Sequence, residues 1–183
     1  MKFTYHIILL SLFIAGCAYQ PPKDVNSSFY SPPAGSRLLL NSALTIPAND
    51  TQVRIQDGKV IHSIWDYDAY YANCNFELRQ IAEVERTIQP DSFAISRVVR
   101  DTENVMLNSS TMVASANLFA SSNGGPPNVD YMVIMDLHSP RQPEVARITC
   151  RHWEDPNEAS HLTITQIRKT LGDLFTLNLA KHE

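Results

Sequence analysis

What this chain lacks narrows its chemistry first. Lys and Arg are scattered singly and the formal net charge is −4, so the clustered basic face of a nucleic-acid binder is missing. No Gly-x-Ser-x-Gly elbow is present, and neither Cys-x-x-Cys nor His-x-x-x-His ligand spacing occurs. His138, His152 and His161 stand near Asp136, Glu154 and Asp155, a scatter that suits polar surface better than a metal centre. The Gly-rich run Asn123-Gly124-Gly125 is followed by Pro126 and Pro127 instead of a helix, which makes it a loop and not a phosphate cradle. Glu77, Glu83, Glu85 and Asp66 offer carboxylates. Alternation sets the glutamates together on one solvated face, however, with no apolar pocket to raise one pKa. Neither a catalytic set nor a cofactor or metal site is therefore expected. Internal repeats are absent too, and the apolar run Ile7 to Ala15 is far short of the ~20 residues a spanning helix needs.

That short run has another use. Residues 1–17 read MKFTYHIILLSLFIAGC: a basic residue, an apolar stretch, then small residues before a cysteine, the order of an export signal. Ile14-Ala15-Gly16-Cys17 resembles the lipobox of bacterial lipoproteins. The resemblance implies removal of residues 1–16, acylation of Cys17, and a protein held on the membrane by acyl chains, of which more than one is needed for stable anchoring. Ala18, where inner-membrane retention in enteric bacteria uses Asp, implies the periplasmic face of the outer membrane. Residues 17–36 hold Pro21, Pro22, Pro32 and Pro33 among small and polar neighbours and are expected to form an extended tether. Within it, Phe29 and Tyr30 either dock on the domain or offer a short partner-binding patch.

From residue 37 to 183 one β-rich domain is expected; an apolar content of 44% suffices for its core. Leu38, Leu40, Leu44 and Ile46 keep period two, reading as one strand. Val53 and Ile55 lead into Asp57-Gly58, a two-residue hairpin signal, with Ile55 expected opposite Val60 and Val53 opposite His62. His62 would then sit, partly buried and satisfied, on an apolar face. Phe76, Leu78, Ala82 and Val84 alternate with charged residues as an amphipathic strand, and Phe93 and Ile95 continue the theme. Residues 104–119 read as one long strand or two, and 121–128 as a loop. Tyr131 to Leu137 suits a central strand, and Val145 to Trp153 the last one. The period then changes. Thr163 and Gln166 form a capping box flanked by Leu162 and Ile167 as a staple, and Ile167, Leu171, Leu174, Phe175 and Asn178 follow at helical spacing. The expected fold is mainly β, or α+β: an antiparallel sheet or partly open barrel of seven to eight strands with one C-terminal amphipathic helix.

Two cysteines remain for that domain. In an oxidising compartment Cys74 and Cys150 are expected to pair, closing a loop of about 77 residues worth roughly 4–5 kcal/mol by chain entropy. The alternative is two separately buried thiols, with His152 flanking Cys150 on its strand face. Just before the first cysteine, Trp65, Asp66, Tyr67, Asp68, Tyr70 and Tyr71 concentrate aromatic and acidic groups. Aromatics with polar tips favour interfaces and sugar-contacting surfaces; the competing reading is a loop whose rings pack over the bridge and the sheet edge.

IPANDTQVRIQDGK, DYDAYYANCNFELR and ITCRHWEDP together resemble a group of uncharacterised proteobacterial envelope lipoproteins, a likeness that implies no activity. The leading expectation is a non-enzymatic binding or accessory module, lipid-anchored in the envelope, with a protein or glycan partner. A carrier of a small amphipathic ligand and an envelope hydrolase are the alternatives.

Overall fold

The computed structural model describes residues 23–63, 65–105, 128–157 and 160–181. Among them, an eight-stranded antiparallel sheet dominates. Its members are β1 (Arg37–Leu40), β3 (Gln52–Gln56), β4 (Lys59–Ile61), β5 (Asn73–Leu78), β7 (Asp91–Val105), β8 (Asn128–His138), β9 (Val145–Glu154) and β10 (Phe175–Asn178). They run in the order β10-β1-β7-β8-β9-β5-β3-β4, and β2 (Leu44–Ile46) pairs with β6 (Arg86–Ile88) as a separate two-stranded ribbon. The sheet curls into a half-barrel, and α1 (Ile164–Leu171) contacts β10 near one edge and β5 and β3 toward the other. No helix among the described residues is long and apolar enough to cross a membrane.

Alternation divides the sheet into two faces. Leu38, Phe93, Ile95, Val133, Met135, Ile148, Phe76 and Ile55 point into the core, where Ile164, Ile167 and Leu171 of α1 join them. Phe76 lies at the centre, with ring centroids 6.0 Å from Phe93 and 5.3 Å from Phe175. Cys74 and Cys150 sit on this face as direct register partners of β5 and β9 and form the disulfide. The Asp57-Gly58 hairpin is present with Ile55 opposite Val60, and both turn residues have the positive φ (50° and 74°) that its turn requires. The capping box is also formed: Thr163 Oγ1 accepts from the Gln166 backbone N–H, and the Gln166 side chain accepts from the Thr163 N–H.

Several element ends differ from the periodicity. The expected strand from Leu38 to Ile46 splits at Asn41, whose N–H and side-chain amide turn to Leu174 O, Asp173 O and Thr176 Oγ1. All four apolar residues stay buried, but they serve two sheets. The strand from Phe76 stops at Leu78, leaving Ile81 and Val84 exposed in a loop. Glu83 and Glu85 therefore do not share a strand face with Glu77, which pairs with Arg147 at 3.1 Å. His62 lies just beyond β4 and is exposed, not on the apolar face: the hairpin pairing ends at Arg54–Ile61. The helix ends at Gly172, so Phe175 and Asn178 belong to β10, the true last strand, whose period of two buries Phe175 and Leu177 and leaves Asn178 exposed. Residues 106–120 and the loop at 121–127 lie outside the described residues, as do residues 1–22 with Cys17.

The segment before β1 also has a definite place. Tyr30 is buried in the core, Val25 packs against it, and Phe29 stays exposed. Val25 O accepts from Ile164 N–H and Arg100 donates to the Ser28 and Phe29 carbonyls, so the part of the expected tether from Val25 onward lies against the domain.

Candidate functional site

The aromatic segment 65–71 folds back over the outer face of the sheet, opposite the disulfide. Gln56 pins it. Its amide nitrogen donates to Asp68 O at 2.8 Å and lies within reach of the Tyr71 and Ala72 carbonyls, while its Oε1 accepts from Asp68 N–H at 3.1 Å. Trp153 N–H donates to Ala69 O, and Asp68 caps the next turn by accepting from Tyr70 N–H. A buried side chain thus replaces the strand partner that this loop lacks.

The loop sorts its rings into two groups. Tyr67 lies on the sheet with the Arg54 guanidinium 3.8 Å from its ring centroid, a cation–π contact. Tyr70 meets Trp153 edge-on at 5.9 Å, and its hydroxyl accepts from the Asn128 amide. Trp65 and Tyr71 instead project outward, 88% and 69% exposed. Asp66 is exposed. Tyr67 and Tyr70 thus touch the sheet, Tyr70 staying half exposed, while Trp65 and Tyr71 face solvent.

Between this loop and β7–β9 lies an open cleft of about 310 Å³. Its floor comes from alternation. With Cys74 and Cys150 in the core, their neighbours Asn73, Arg151 and Trp153 must point outward, and register places Asn73 opposite Arg151 and Trp153 opposite Asp130. Glu103 of β7 stands opposite Asp130 on its other side. Arg151 donates to Asp130 Oδ2 at 3.0 Å. Burial pushes the Asp130 carboxyl above its ordinary pKa; Arg151 pulls it down, and Glu103 pushes it up again. Asn73 and Asp130 are 2% and 3% exposed. Yet Asn73 Oδ1, Asp130 Oδ1 and Arg151 Nε are buried without hydrogen-bond partners. Each such atom costs about 1–3 kcal/mol when left unmade, and here three share one floor. A second, smaller cleft of about 210 Å³ lies on the far side of Tyr67, beside His62, Asp50 and Gln52.

A second buried polar cluster provides the contrast. Asp91, at the start of β7, accepts from Ser139 Oγ, Gln142 Nε2, Arg141 and the Ser92 N–H. Burial pushes its carboxyl up, but these donors together outweigh it and hold the pKa at about 2. Gln142 also exchanges hydrogen bonds with the Gln89 backbone, tying the β8–β9 turn to β7. Both carboxylate oxygens of Asp91 are thus spent on the fold. At the other end of these strands, on the core face behind the cleft floor, His152 bonds Ser160 O at 2.8 Å, and His161, its pKa lowered by burial and by Arg100, rests edge-on against Tyr131. No group of three or more His, Cys, Asp or Glu side chains among the described residues could hold a metal ion.

Reading along the chain found the loop and missed the floor. Asn73, Asp130 and Arg151 carry no local motif; the available signal was their place one residue from Cys74, three from the centre of a strand, and one from Cys150. Comparison with known proteins adds no precedent for this loop and floor: no family model, no curated protein and no solved structure matches the chain.

Proposed function

We propose that this protein is a lipid-anchored lipoprotein of the bacterial envelope, facing the periplasm from the outer membrane, whose domain is a non-enzymatic binding module for another envelope component, protein or glycan. The leader, the small residues before Cys17 and Ala18 after it support the placement. The Cys74–Cys150 bridge suits an oxidising compartment. The observation that carries the binding reading is the 65–71 loop. It is pinned by Gln56 yet presents Trp65 and Tyr71 to solvent, and rigid exposed aromatics are what recognition surfaces use. The Phe93 and Phe175 rings packed around Phe76 on the core face favour a surface site over an internal carrier cavity.

Two measurements test this. Cys17→Ser should move the protein from the membrane pellet to the soluble fraction; a variant that still pellets with membranes sinks the anchor. A photo-crosslinking residue placed at Trp65 or Tyr71 in cells should yield one discrete protein adduct or attachment to the cell-wall glycan. Irradiation that leaves both variants unattached in a membrane-anchored, folded protein sinks the binding reading.

A further inference from the structure

We propose that the cleft between the aromatic loop and β7–β9 binds a neutral saccharide. This rests on the binding-module reading and names the chemistry of its ligand. Three features of the cleft point the same way. First, its charges cancel: Arg54 and Arg151 face Glu103 and Asp130, and Arg151 is already joined to Asp130. An anion would meet two carboxylates and a cation or metal ion two guanidinium groups, so neither gains what it loses in desolvation. Second, the unpartnered floor atoms are mixed in kind, two acceptors (Asn73 Oδ1, Asp130 Oδ1) and one donor (Arg151 Nε). A hydroxyl both donates and accepts, so adjacent hydroxyls of one ring can serve all three after small side-chain rotations. Third, Trp153 and Tyr67 form the walls and, among the described residues, only Ala69 and Val105 add aliphatic surface. That is enough for the C–H face of a sugar and too little for an acyl chain. The volume of about 310 Å³ is at the lower end for small-molecule sites. The disulfide lies directly behind the floor and joins the two strands carrying Asn73 and Arg151, so their backbones are fixed relative to each other before a ligand arrives.

The chain has two tryptophans, one in the cleft and one outside it, which makes the test internal. The full chain labelled with 5-fluorotryptophan, kept in a zwitterionic detergent without a sugar headgroup, gives two fluorine resonances, assigned with Trp65→Phe. Cellobiose, maltose and an N-acetylglucosamine disaccharide are titrated, alongside acetate, methylammonium and calcium ions. The expected result is a saturable shift of the Trp153 resonance with at least one sugar, Trp65 unmoved. Asp130→Asn should weaken it about tenfold or more, about 1.4 kcal/mol, at an unchanged melting temperature. If Asp130→Asn melts early, Glu103→Gln on the exposed rim replaces it, with a smaller loss of the same sign. No shift with any sugar, equal shifts of both tryptophans, or a Trp153 response to acetate, methylammonium or calcium alone overturns the proposal. A crosslinked protein adduct at Trp65 together with a silent cleft overturns the saccharide while leaving the binding module standing.

Discussion

Gly172 to Ala is the substitution whose cost can be worked most directly from the fold. Gly172 ends α1 at φ 54° and ψ −140°, a region that side-chain-bearing residues enter only at about 1–3 kcal/mol. Its backbone also touches the hairpin tip of β3 and β4: a Cβ at Gly172 would stand 2.5 Å from Gly58 Cα and 3.3 Å from Gly58 N. Both opposing atoms are main chain, so no side chain can swing aside, and displacing the tip costs about 1–3 kcal/mol by analogy with overpacked cores. The hydrogen bond from Gly58 N–H to Thr170 O, 2.9 Å long, would stretch or break for a further ~1 kcal/mol. The sum is about 3–7 kcal/mol, a large part of a domain's usual 5–15 kcal/mol. In a domain of this size that lowers Tm by roughly 10–20 °C. Gly58→Ala should cost less, because its Cβ would lie 3.2 Å from Gly172 Cα, and the order of the two variants is itself a prediction. Thermal melts by circular dichroism, with urea titrations at 25 °C, measure both. A Gly172→Ala protein melting within about 2 °C of the parent would refute the close approach of helix end and hairpin.

Two further perturbations test the disulfide and the buried carboxylate. Cys74→Ser and Cys150→Ser should each lose about 4–5 kcal/mol, and the double mutant little more; clearly additive losses in urea unfolding would refute the shared bridge. Asp91 should make stability acid-sensitive. Its folded pKa of about 2 lies below the ordinary 3.8, so its contribution is fully present above about pH 4 and is lost as pH falls toward 2. The contribution is roughly 1–2 kcal/mol, discounted because the Arg141 guanidinium reaching it is solvent-exposed. Asp91→Asn should be less stable than the parent at about pH 5 and nearly equal to it at about pH 2; a gap that persists undiminished in acid would contradict the assignment.

How much of this was legible along the chain follows from the range of each interaction. Asp57-Gly58, the Thr163–Gln166 box and the alternation of β3, β5 and β9 are local: the residues that impose the conformation are the ones that adopt it. The cysteine pair could be named because only two cysteines remained for the domain. Period two told which side chains share a face, and that held even where the element was misdrawn, since Leu38, Leu40, Leu44 and Ile46 are all buried. What alternation cannot encode is where a strand stops. Asn41 breaks the first strand to satisfy backbone groups after α1, more than 130 positions away, and β10 takes Phe175 out of a helical pattern because β1 offers it an open edge. The cleft is the clearest case. Arg54, Asn73, Glu103, Asp130 and Arg151 come from five strands, and no window of sequence holds them together. Only the pairing register, which joins residues through long-range backbone hydrogen bonds, sets their charges side by side and leaves one buried polar atom each of Asn73, Asp130 and Arg151 without a partner.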